Sequence, residues 1–331
     1  MTFQHSAISP LLQRRVIPTQ PVELPGEMWG ITVSFNPAGY QNRYNHLEVF
    51  SERVRRQGLK LLAIELAFDD QPFLVREEVA DKIIRLRSTS VLWQKERLLN
   101  IALDALPPCC DKVAWLDADI LFENEAWVSE TSALLNKHVV VQPFEVACWL
   151  ARGIQPIPAA DQLEAIAATR KGAANLRMSK PELGLGHPGF AWAARRSLLA
   201  RHGFYDRFIL GSADLAMFWA ISRSPDTWTV REWLEKHCSA ELARDYCNWA
   251  KGVFEDVAES YSWTPGRIFH LWHGDDRNRQ YASRLRILTE AGFDPRVDIT
   301  LGPDKCWQWN SDKPELHRKV CEYFVARRED G

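Results

Sequence analysis

Apolar residues in this chain form short continuous runs that alternate with longer segments of helical spacing. Residues 29–35 (WGITVSF) and 59–68 (LKLLAIELAF) are nearly continuous apolar runs, which is typical of strands buried on both faces. Between these runs, Leu47, Phe50 and Val54 recur at the spacing of one helix face. Alternation of this kind predicts an α/β fold of the Rossmann type, with a mostly parallel sheet flanked by helices.

The same criteria locate the remaining elements and divide the chain. We predict further strands at residues 81–87, 113–116, 139–141, 191–193 and 268–272, and helices at residues 43–57, 88–106, 127–135, 161–175, most of 226–262, and 314–327. Residues 1–28 contain four prolines and are predicted to form an extended lead-in. One main domain is expected over residues 29–281, followed by a helical extension packed on it over residues 282–331.

Composition narrows the classes of protein that fit this pattern. The chain has 331 residues, of which 46% are hydrophobic and 25% charged, as in ordinary globular proteins. A net charge of −2 gives no overall basic field for nucleic acid. No apolar run approaches the ~20 residues that cross a bilayer, and no signal-peptide core is present, so we expect a cytoplasmic protein without a membrane span. Seven cysteines without C-x-x-C spacing indicate reduced thiols.

Two carboxylates directly follow the apolar strand predicted at residues 113–116. The segment WLDADILF contains Asp117 and Asp119, which are placed at the carboxyl end of a buried strand, where open α/β sheets bind their ligands. Residues two apart in extended backbone project to the same side, so both carboxylates can face one divalent cation. Aspartates that merely end a strand are common, but the fully apolar strand before them favours a metal site.

A second polar cluster follows the strand predicted at residues 268–272. The segment FHLWHGDDRNRQY contains His270 and His273, which are metal-ligand types at neutral pH. Arg277, Asn278 and Arg279 follow and offer donors suited to a diphosphate. The alternative for each histidine is a structural hydrogen bond within the fold.

Three further positions are candidates for substrate contact. Gly189 and Phe190, in LGLGHPGFAWAARR, offer close backbone approach and an aromatic platform for a sugar, although a plain glycine-rich turn has the same pattern. Asp214, in LGSADLAMFW, is either a helix N-cap or a carboxylate that accepts a proton from a substrate hydroxyl. Lys95 lies in the apolar stripe of a predicted helix, so it either extends to the solvent or meets a buried anion.

The order of these four segments resembles the GT-A class of nucleotide-sugar glycosyltransferases, and in particular its galactosyltransferase-like members. The resemblance covers residues 29–281. It implies a nucleotide diphosphate sugar as donor, with a UDP-sugar expected, and a Mn²⁺ or Mg²⁺ ion. It makes Asp119 a direct metal ligand, places Asp117 near the ribose or the metal, and assigns His273 and His270 as ligands.

The resemblance also assigns roles near the acceptor and the donor. Gly189 and Phe190 match the family's glycine-rich segment, and Asp214 matches its catalytic acid, although this chain has Ser-Ala-Asp where an acidic pair is usual. By position, residues near the ends of the first two strands are donor-contact candidates, and Lys95 would reach the diphosphate. These candidates are Phe35, Asn36, Arg43 and Asp69.

Two other functions and several acceptors remain open from the sequence. A non-catalytic protein that binds nucleotide sugars or carbohydrates would keep the fold without turnover, and a nucleotidyltransferase would also place two carboxylates on a metal. The acceptor hydroxyl could belong to a glycan, a small molecule, a protein or a hydroxymethylated DNA base. For DNA, the arginines at 195, 196, 201, 284 and 286 could form a local phosphate-binding face, but arginines are more often solvated surface.

Overall fold

The computed structural model of the protein describes residues 17–154, 166–175, 186–281 and 283–331. Its strands are β1 (Glu27–Phe35), β2 (Lys60–Phe68), β3 (Lys82–Ser88), β4 (Cys110–Leu116), β5 (Ile120–Phe122), β6 (Val140–Gln142), β7 (Val146–Leu150), β8 (Ile166–Lys171), β9 (Ala191–Arg195), β10 (Tyr261–Trp263), β11 (Arg267–His270), β12 (Ile299–Leu301) and β13 (Trp307–Trp309). Helices occupy Gln41–Arg56, Lys95–Asp104, Trp127–Leu135, Arg196–His202, Ala213–Ser222, Trp228–His237, Ala240–Val257, Arg286–Glu290 and Pro314–Ala326, and 3-10 helices occupy Glu77–Val79 and Asp276–Arg279. Within the described ranges, no helix is both long and apolar enough to cross a lipid bilayer.

The main sheet has seven strands in the order β10-β6-β9-β4-β1-β2-β3. β1 runs parallel to β2 and β4, β2 is parallel to β3, and β6 is parallel to β10. Only β9, among the strands of this sheet, is antiparallel to its neighbours. Apolar side chains pack in two core clusters, as the continuous apolar strands require. The predicted α/β fold, with a mostly parallel sheet flanked by helices, is confirmed.

A second sheet of four strands, in the order β5-β11-β7-β8, adjoins the end of β4. Three residues separate Leu116, the last residue of β4, from Ile120, the first of β5. β5 pairs with β11 in antiparallel register, with His270 opposite Ile120. Residues 117–119 therefore pass directly from one sheet to the other and lie beside the end of β11.

Two predicted helices differ from the structure. The helix predicted at residues 88–106 begins only at Lys95, because Ser88 ends β3 and the residues between them form an irregular connection. Of the helix predicted at residues 161–175, the first five residues lie outside the described part of the chain, and Ile166–Lys171 forms strand β8. Pairing with β7 overrides the helical propensity of this alanine-containing segment.

The segment predicted as a helical extension, residues 282–331, contains more than helices. β12 and β13 form an antiparallel pair within it. The helix Pro314–Ala326 places Leu316, Val320 and Phe324 in the same core cluster as residues of the main sheet, so the helix predicted at residues 314–327 packs on the main domain.

Residues 327–331 fold back onto the start of the helix Gln41–Arg56. The Asp330 carboxylate accepts hydrogen bonds from the backbone N–H groups of Gln41 (3.0 Å) and Asn42 (2.9 Å). The Tyr40 hydroxyl donates to the carbonyl of Val325 at 2.7 Å. Because helix N-termini leave backbone N–H donors unpaired, the contact of Asp330 both caps this helix and fixes the tail, residues 327–331.

Candidate active site

A cavity of about 770 Å³ lies at the carboxyl ends of β1 and β4. Its wall also includes residues of β7 and β11 from the second sheet. Ligands of open α/β sheets bind at this edge, because the strand ends and the loops after them leave a crevice there. Most of the residues predicted from the sequence line it, namely Phe35, Arg43, Lys95, Asp117, Asp119, Gly189, Phe190, Asp214, His270, His273 and Arg279.

Asp119, His270 and His273 bring three candidate metal-ligand atoms within 4.8 Å of one another. The Nε2 atoms of the two histidines are 2.7 Å apart. Asp119 Oδ2 lies 2.8 Å from Nε2 of His273 and 3.8 Å from Nε2 of His270. The pairing of β5 with β11 produces this arrangement, because it sets His270 opposite Ile120, the residue after Asp119.

The atoms of this trio fit a divalent metal ion. Ligand atoms about 2.1 Å from a cation and at right angles around it are about 3.0 Å apart, which is close to two of the observed spacings, 2.7 and 2.8 Å, while the third, 3.8 Å, corresponds to a wider angle at the cation. Asp119 Oδ1 is buried without a hydrogen-bond partner in the described residues, and a nearby cation would satisfy it. Burial opposes ionisation of Asp119, but the hydrogen bond and charge of His270, with the charges of His46 and Arg279, lower the pKa of this carboxyl below its usual value.

Asp117 is paired with Lys95 and does not belong to the trio. The Lys95 ammonium lies 2.5 Å from Asp117 Oδ1 and 3.0 Å from Asp214 Oδ1. Although burial opposes it, the charges of Asp117, Asp214 and Glu96 raise the pKa of Lys95 well above its usual value. Lys95 thus contacts a pair of carboxylates in this structure. Its predicted contact with a phosphate, and that of Asp117 with a metal, stay predictions.

Glu96 is a third carboxyl group beside Lys95. It is 7% exposed and lines the cavity from the first turn of the helix Lys95–Asp104. Burial, aided by the charge of Asp214 and opposed by that of Lys95, raises the pKa of Glu96 to about 8. Burial also raises the pKa of Asp117 to about 7. One lysine therefore lies among three carboxyl groups, and burial raises the pKa of two of them, Glu96 and Asp117.

Asp214 is presented by a tight turn before the helix Ala213–Ser222. Gly211 and Ser212 both have left-handed backbone, with φ of +83° and +80°. Ser212 takes the N-cap position and Asp214 lies in the first helical turn, so Asp214 is not the N-cap that the sequence left open. A non-glycine residue with positive φ is strained, and such strain is concentrated at functional sites.

Gly189 and Phe190 lie between Asp214 and the metal-ligand trio. A Cβ atom added at Gly189 would lie 3.1 Å from Cε1 of His187 and 3.5 Å from Asp214 Oδ2. The Phe190 ring stacks on His187 with centroids 4.1 Å apart and lies 4.7 Å from the His270 ring. Burial, followed by the charge of His270, lowers the pKa of His187 to about 3, so this imidazole is neutral. The glycine at position 189 leaves this space open, because a side chain there would press on His187.

Three arginines surround Glu329 and form what we call the arginine wall, Arg43, Arg279 and Arg327. Glu329 is 1% exposed. Its carboxylate accepts from Arg43 Nε (2.5 Å), Arg43 Nη2 (3.0 Å) and Arg327 Nε (2.6 Å), and lies 3.2 Å from Arg279 Nη1. Arg279 also donates to the carbonyl of His273 at 2.6 Å, which joins the wall to the trio. Although burial opposes it, these cations lower the pKa of Glu329 to about 2.

Four residues predicted as donor contacts do not line the cavity. Asn36 is buried, and its side-chain amide closes a turn through two hydrogen bonds to the backbone of Tyr40. Asp69 is exposed at the end of β2. Of the three predicted residues in the 3-10 helix Asp276–Arg279, only Arg279 lines the cavity, because three residues per turn point in different directions. Arg277 is 84% exposed and pairs with Asp275, and Asn278 is partly exposed.

Two of the five arginines that could have formed a DNA-phosphate face, Arg195 and Arg284, are buried. Arg195 is 1% exposed and donates to the backbone carbonyls of Leu135 and Asn136. Arg284 is 6% exposed and lines the cavity. Arg286, two residues further on, is exposed.

Several cavity residues were not predicted from the sequence. Glu96 and His46 face the cavity from helices, where a polar residue in an apolar stripe is the only signal. Arg327 and Glu329 lie in the tail after the last helix, and no local pattern marks them. Their place in the site depends on the folding back of the tail.

Comparison with known proteins finds similarity only to solved structures. No family model matches the sequence, and no curated protein matches it. Glucosyl-3-phosphoglycerate synthase from Mycobacterium tuberculosis, in complex with Mn²⁺, uridine diphosphate and phosphoglyceric acid, has a TM-score of 0.41 and 14% identity, over 86% of this chain and 87% of that chain. The same enzyme with UDP-glucose has a TM-score of 0.43 and 13% identity, over 94% of each chain. The 4-diphosphocytidyl-2C-methyl-D-erythritol synthase from Anaerococcus prevotii has a TM-score of 0.34 and 13% identity, over 73% of this chain and 89% of that chain. At this level of similarity, the function has to be argued from the cavity itself.

Proposed function

We propose that this chain is a metal-dependent glycosyltransferase that transfers a sugar from a nucleotide diphosphate donor, such as a UDP-sugar, to an acceptor hydroxyl. One observation carries the proposal. A trio of metal-ligand type, Asp119, His270 and His273, lies in the same cavity as a wall of three arginines and a carboxylate of general-base type, Asp214.

The trio and the arginine wall are suited to a leaving nucleoside diphosphate. Asp119, His270 and His273 would hold the cation, and their mixed oxygen and nitrogen set suits Mn²⁺ better than Mg²⁺. A bound divalent cation supplies Lewis-acid stabilisation of the negative charge that develops on the diphosphate. Arg43, Arg279 and Arg327 carry three positive charges against the single charge of Glu329, so the wall keeps a positive excess. Guanidinium groups bind phosphate oxygens with paired donors.

Asp214 is the candidate base for the acceptor hydroxyl. Lys95 donates to its Oδ1, which orients the carboxylate, while Oδ2 lies on the side of Gly189. The side chain is 35% exposed, so an acceptor entering the cavity can reach it. A base opposite the leaving group favours inversion at the sugar carbon.

The donor end of the cavity is the end of β1. Val33, Ser34 and Phe35 line it there, with His46 and Leu47 from the helix Gln41–Arg56. This apolar and aromatic surface is suited to the face of a nucleobase. The sugar would then lie between the trio and Asp214, against Phe190.

A thermal-shift titration with UDP-sugars, with and without Mn²⁺, tests the metal and the donor together. We expect Mn²⁺-dependent stabilisation by the donor, and release of UDP when an acceptor is present. Asp119→Ala should lose both effects and remain folded, because Asp119 serves the cation and not the core. Glu123→Gln, at the other end of β5 and outside the cavity, is the matched control and should behave as wild type.

Other outcomes would point to the other two functions. Release of pyrophosphate would identify a nucleotidyltransferase. Donor binding without release of UDP, across a broad panel of acceptors, would identify a binding protein. Wild-type turnover by Asp119→Ala would remove the basis of the proposal.

A further inference from the structure

Arg284 is a buried cation in the cavity wall that has no carboxylate partner among the described residues. It is 6% exposed and lines the cavity. Its Nη1 donates to the Tyr323 hydroxyl (2.9 Å) and its Nη2 to the Ser212 hydroxyl (3.0 Å), while its Nε is buried and has no hydrogen-bond partner in the described part of the chain. Both partners are neutral hydroxyls. A buried charge with only neutral partners is costly unless an anion completes the site.

Four other cations of the cavity contrast with Arg284. Arg43, Arg279 and Arg327 share the Glu329 carboxylate. Lys95 contacts two carboxylates. Among the described residues, Arg284 therefore differs from these four cations in having no carboxylate partner.

Arg284 lies on the acceptor side of the cavity. It contacts Ser212, and a Cβ atom at Gly211 would be 3.2 Å from its guanidinium carbon. The same turn presents Asp214 two residues later. The arginine wall, in contrast, joins the metal-ligand trio through Arg279 and His273. The same strained turn therefore carries the candidate base, Asp214, and contacts the guanidinium of Arg284.

We propose that the acceptor carries an anionic oxygen group, a phosphate or a carboxylate, that binds Arg284 while the acceptor hydroxyl lies at Asp214. This inference rests on the proposed function. In the transfer step, the hydroxyl oxygen bonds to the anomeric carbon of the sugar and its proton goes to Asp214. The bond from that carbon to the diphosphate oxygen breaks, and its electron pair leaves with the nucleoside diphosphate. Arg284 fixes the anionic end of the acceptor and so orients the attacking hydroxyl.

The competing ligand for Arg284 is the diphosphate of the donor, and sulfate as a probe separates the two. Calorimetric titration first establishes that UDP binds with Mn²⁺. Sulfate is then titrated into protein saturated with both. Because UDP fills the donor side, we expect one sulfate to bind per chain under these conditions. Arg284→Gln should weaken this binding by at least about 10-fold, since it removes a charge-assisted contact.

A matched variant separates the role of Arg284 from a general loss of positive charge. Arg286→Gln removes the same charge two residues away, at an exposed position, and should bind sulfate as wild type does. Arg284→Lys keeps the positive charge but loses the paired N–H donors of the guanidinium. It should therefore bind sulfate with an affinity between those of the wild type and Arg284→Gln. In transfer assays, glycerol 3-phosphate and glycerate should be better acceptors than glycerol.

Each contrary result overturns the inference in a distinct way. Sulfate that binds only to UDP-free protein assigns Arg284 to the donor diphosphate and leaves the proposed function standing. Sulfate that binds to neither form, or that binds equally to Arg284→Gln, removes the anion site. Sulfate binding to the wild-type protein, compared with and without UDP, decides the question even if Arg284→Gln fails to fold. Failure of UDP to bind with Mn²⁺ is seen in the first step and counts against the proposed function itself.

Discussion

Glu329 allows a quantitative test of the arginine wall. Its carboxylate is 1% exposed and makes close contacts to Arg43, Arg279 and Arg327. Glu329→Gln keeps the shape of the side chain and removes its charge. Two of the three arginines, Arg279 and Arg327, are themselves nearly buried, so the substitution leaves their charges without compensation. Removal of one partner from a buried ion pair costs about 3–5 kcal/mol.

The lowered pKa of Glu329 predicts a loss of stability of similar size and makes this loss depend on pH. A pKa lowered from 4.5 to about 2 corresponds to roughly 3 kcal/mol, at about 1.4 kcal/mol per unit. Because the pKa in the folded protein is depressed, this stabilisation is fully present above pH 4.5 and is lost as the pH falls toward 2. Glu329→Gln should therefore lower the free energy of unfolding by about 3 kcal/mol at pH 7 and by only about 1 kcal/mol at pH 3.

Urea denaturation of the wild type and the variant at pH 7 and pH 3 measures both values. Glu322→Gln is the control, because Glu322 is 57% exposed and pairs with Arg318 in the helix that precedes the tail. Exposed ion pairs contribute little, so the control should shift the urea midpoint only slightly. A loss below about 1 kcal/mol at pH 7, or an equal loss at the two pH values, would show that the buried carboxylate does not hold the wall together.

Three further predictions concern the other side of the cavity. Asp214→Asn should retain Mn²⁺-dependent donor binding in the thermal-shift assay and lose transfer by at least about 100-fold, since it removes the candidate base; loss of donor affinity would contradict that role. Gly189→Ala should reduce transfer while the melting temperature changes little, because its Cβ would press on His187 and approach Asp214; unchanged kinetics would show that the cavity tolerates this atom. Because the pKa of Glu96 is raised from 4.5 to about 8, the free energy of unfolding of the wild type should fall as the pH rises through that interval. In urea titrations from pH 5 to 8, Glu96→Gln should make this fall less steep by up to about 1.4 kcal/mol per pH unit. The same pH dependence in wild type and variant would contradict the raised pKa.

The strands and helices that sequence reasoning found are those whose apolar pattern is long enough to be distinctive. β1 and β2 are nine-residue strands with buried patterns, and both were predicted within two residues of their ends. β5 has three residues and β7 has five, and a run of that length has no periodicity of its own. The local pattern predicted a helix where the structure has β8. Pairing with β7 decides the conformation of this segment, and the residues of β8 alone do not reveal that pairing.

The residues of the candidate site also divide into those whose grouping could be predicted from the sequence and those whose grouping could not. Asp119, His270 and His273 were grouped from the sequence, and the structure brings them together, because each lies directly beside a strand end whose position could be inferred. Asp117 was grouped with Asp119 on the assumption that both project from one extended strand. The turn between β4 and β5 separates them, and Asp117 is directed to Lys95. A two-residue spacing predicts a shared direction only where the strand continues.

The arginine wall shows why the rest of the site could not be inferred from neighbouring residues. A diphosphate site was predicted at Arg277, Asn278 and Arg279 because they are adjacent, yet only Arg279 points inward. The other cations come from Arg43, near the first strand, and from Arg327, near the end of the chain. With Glu329 the wall has three positive charges and one negative charge, a net excess of two. An excess of this size in a buried wall suits a ligand of comparable negative charge, which a nucleoside diphosphate provides. Glu329 compensates only part of the wall, so the tail can hold the arginines in position and leave most of their charge for the proposed donor.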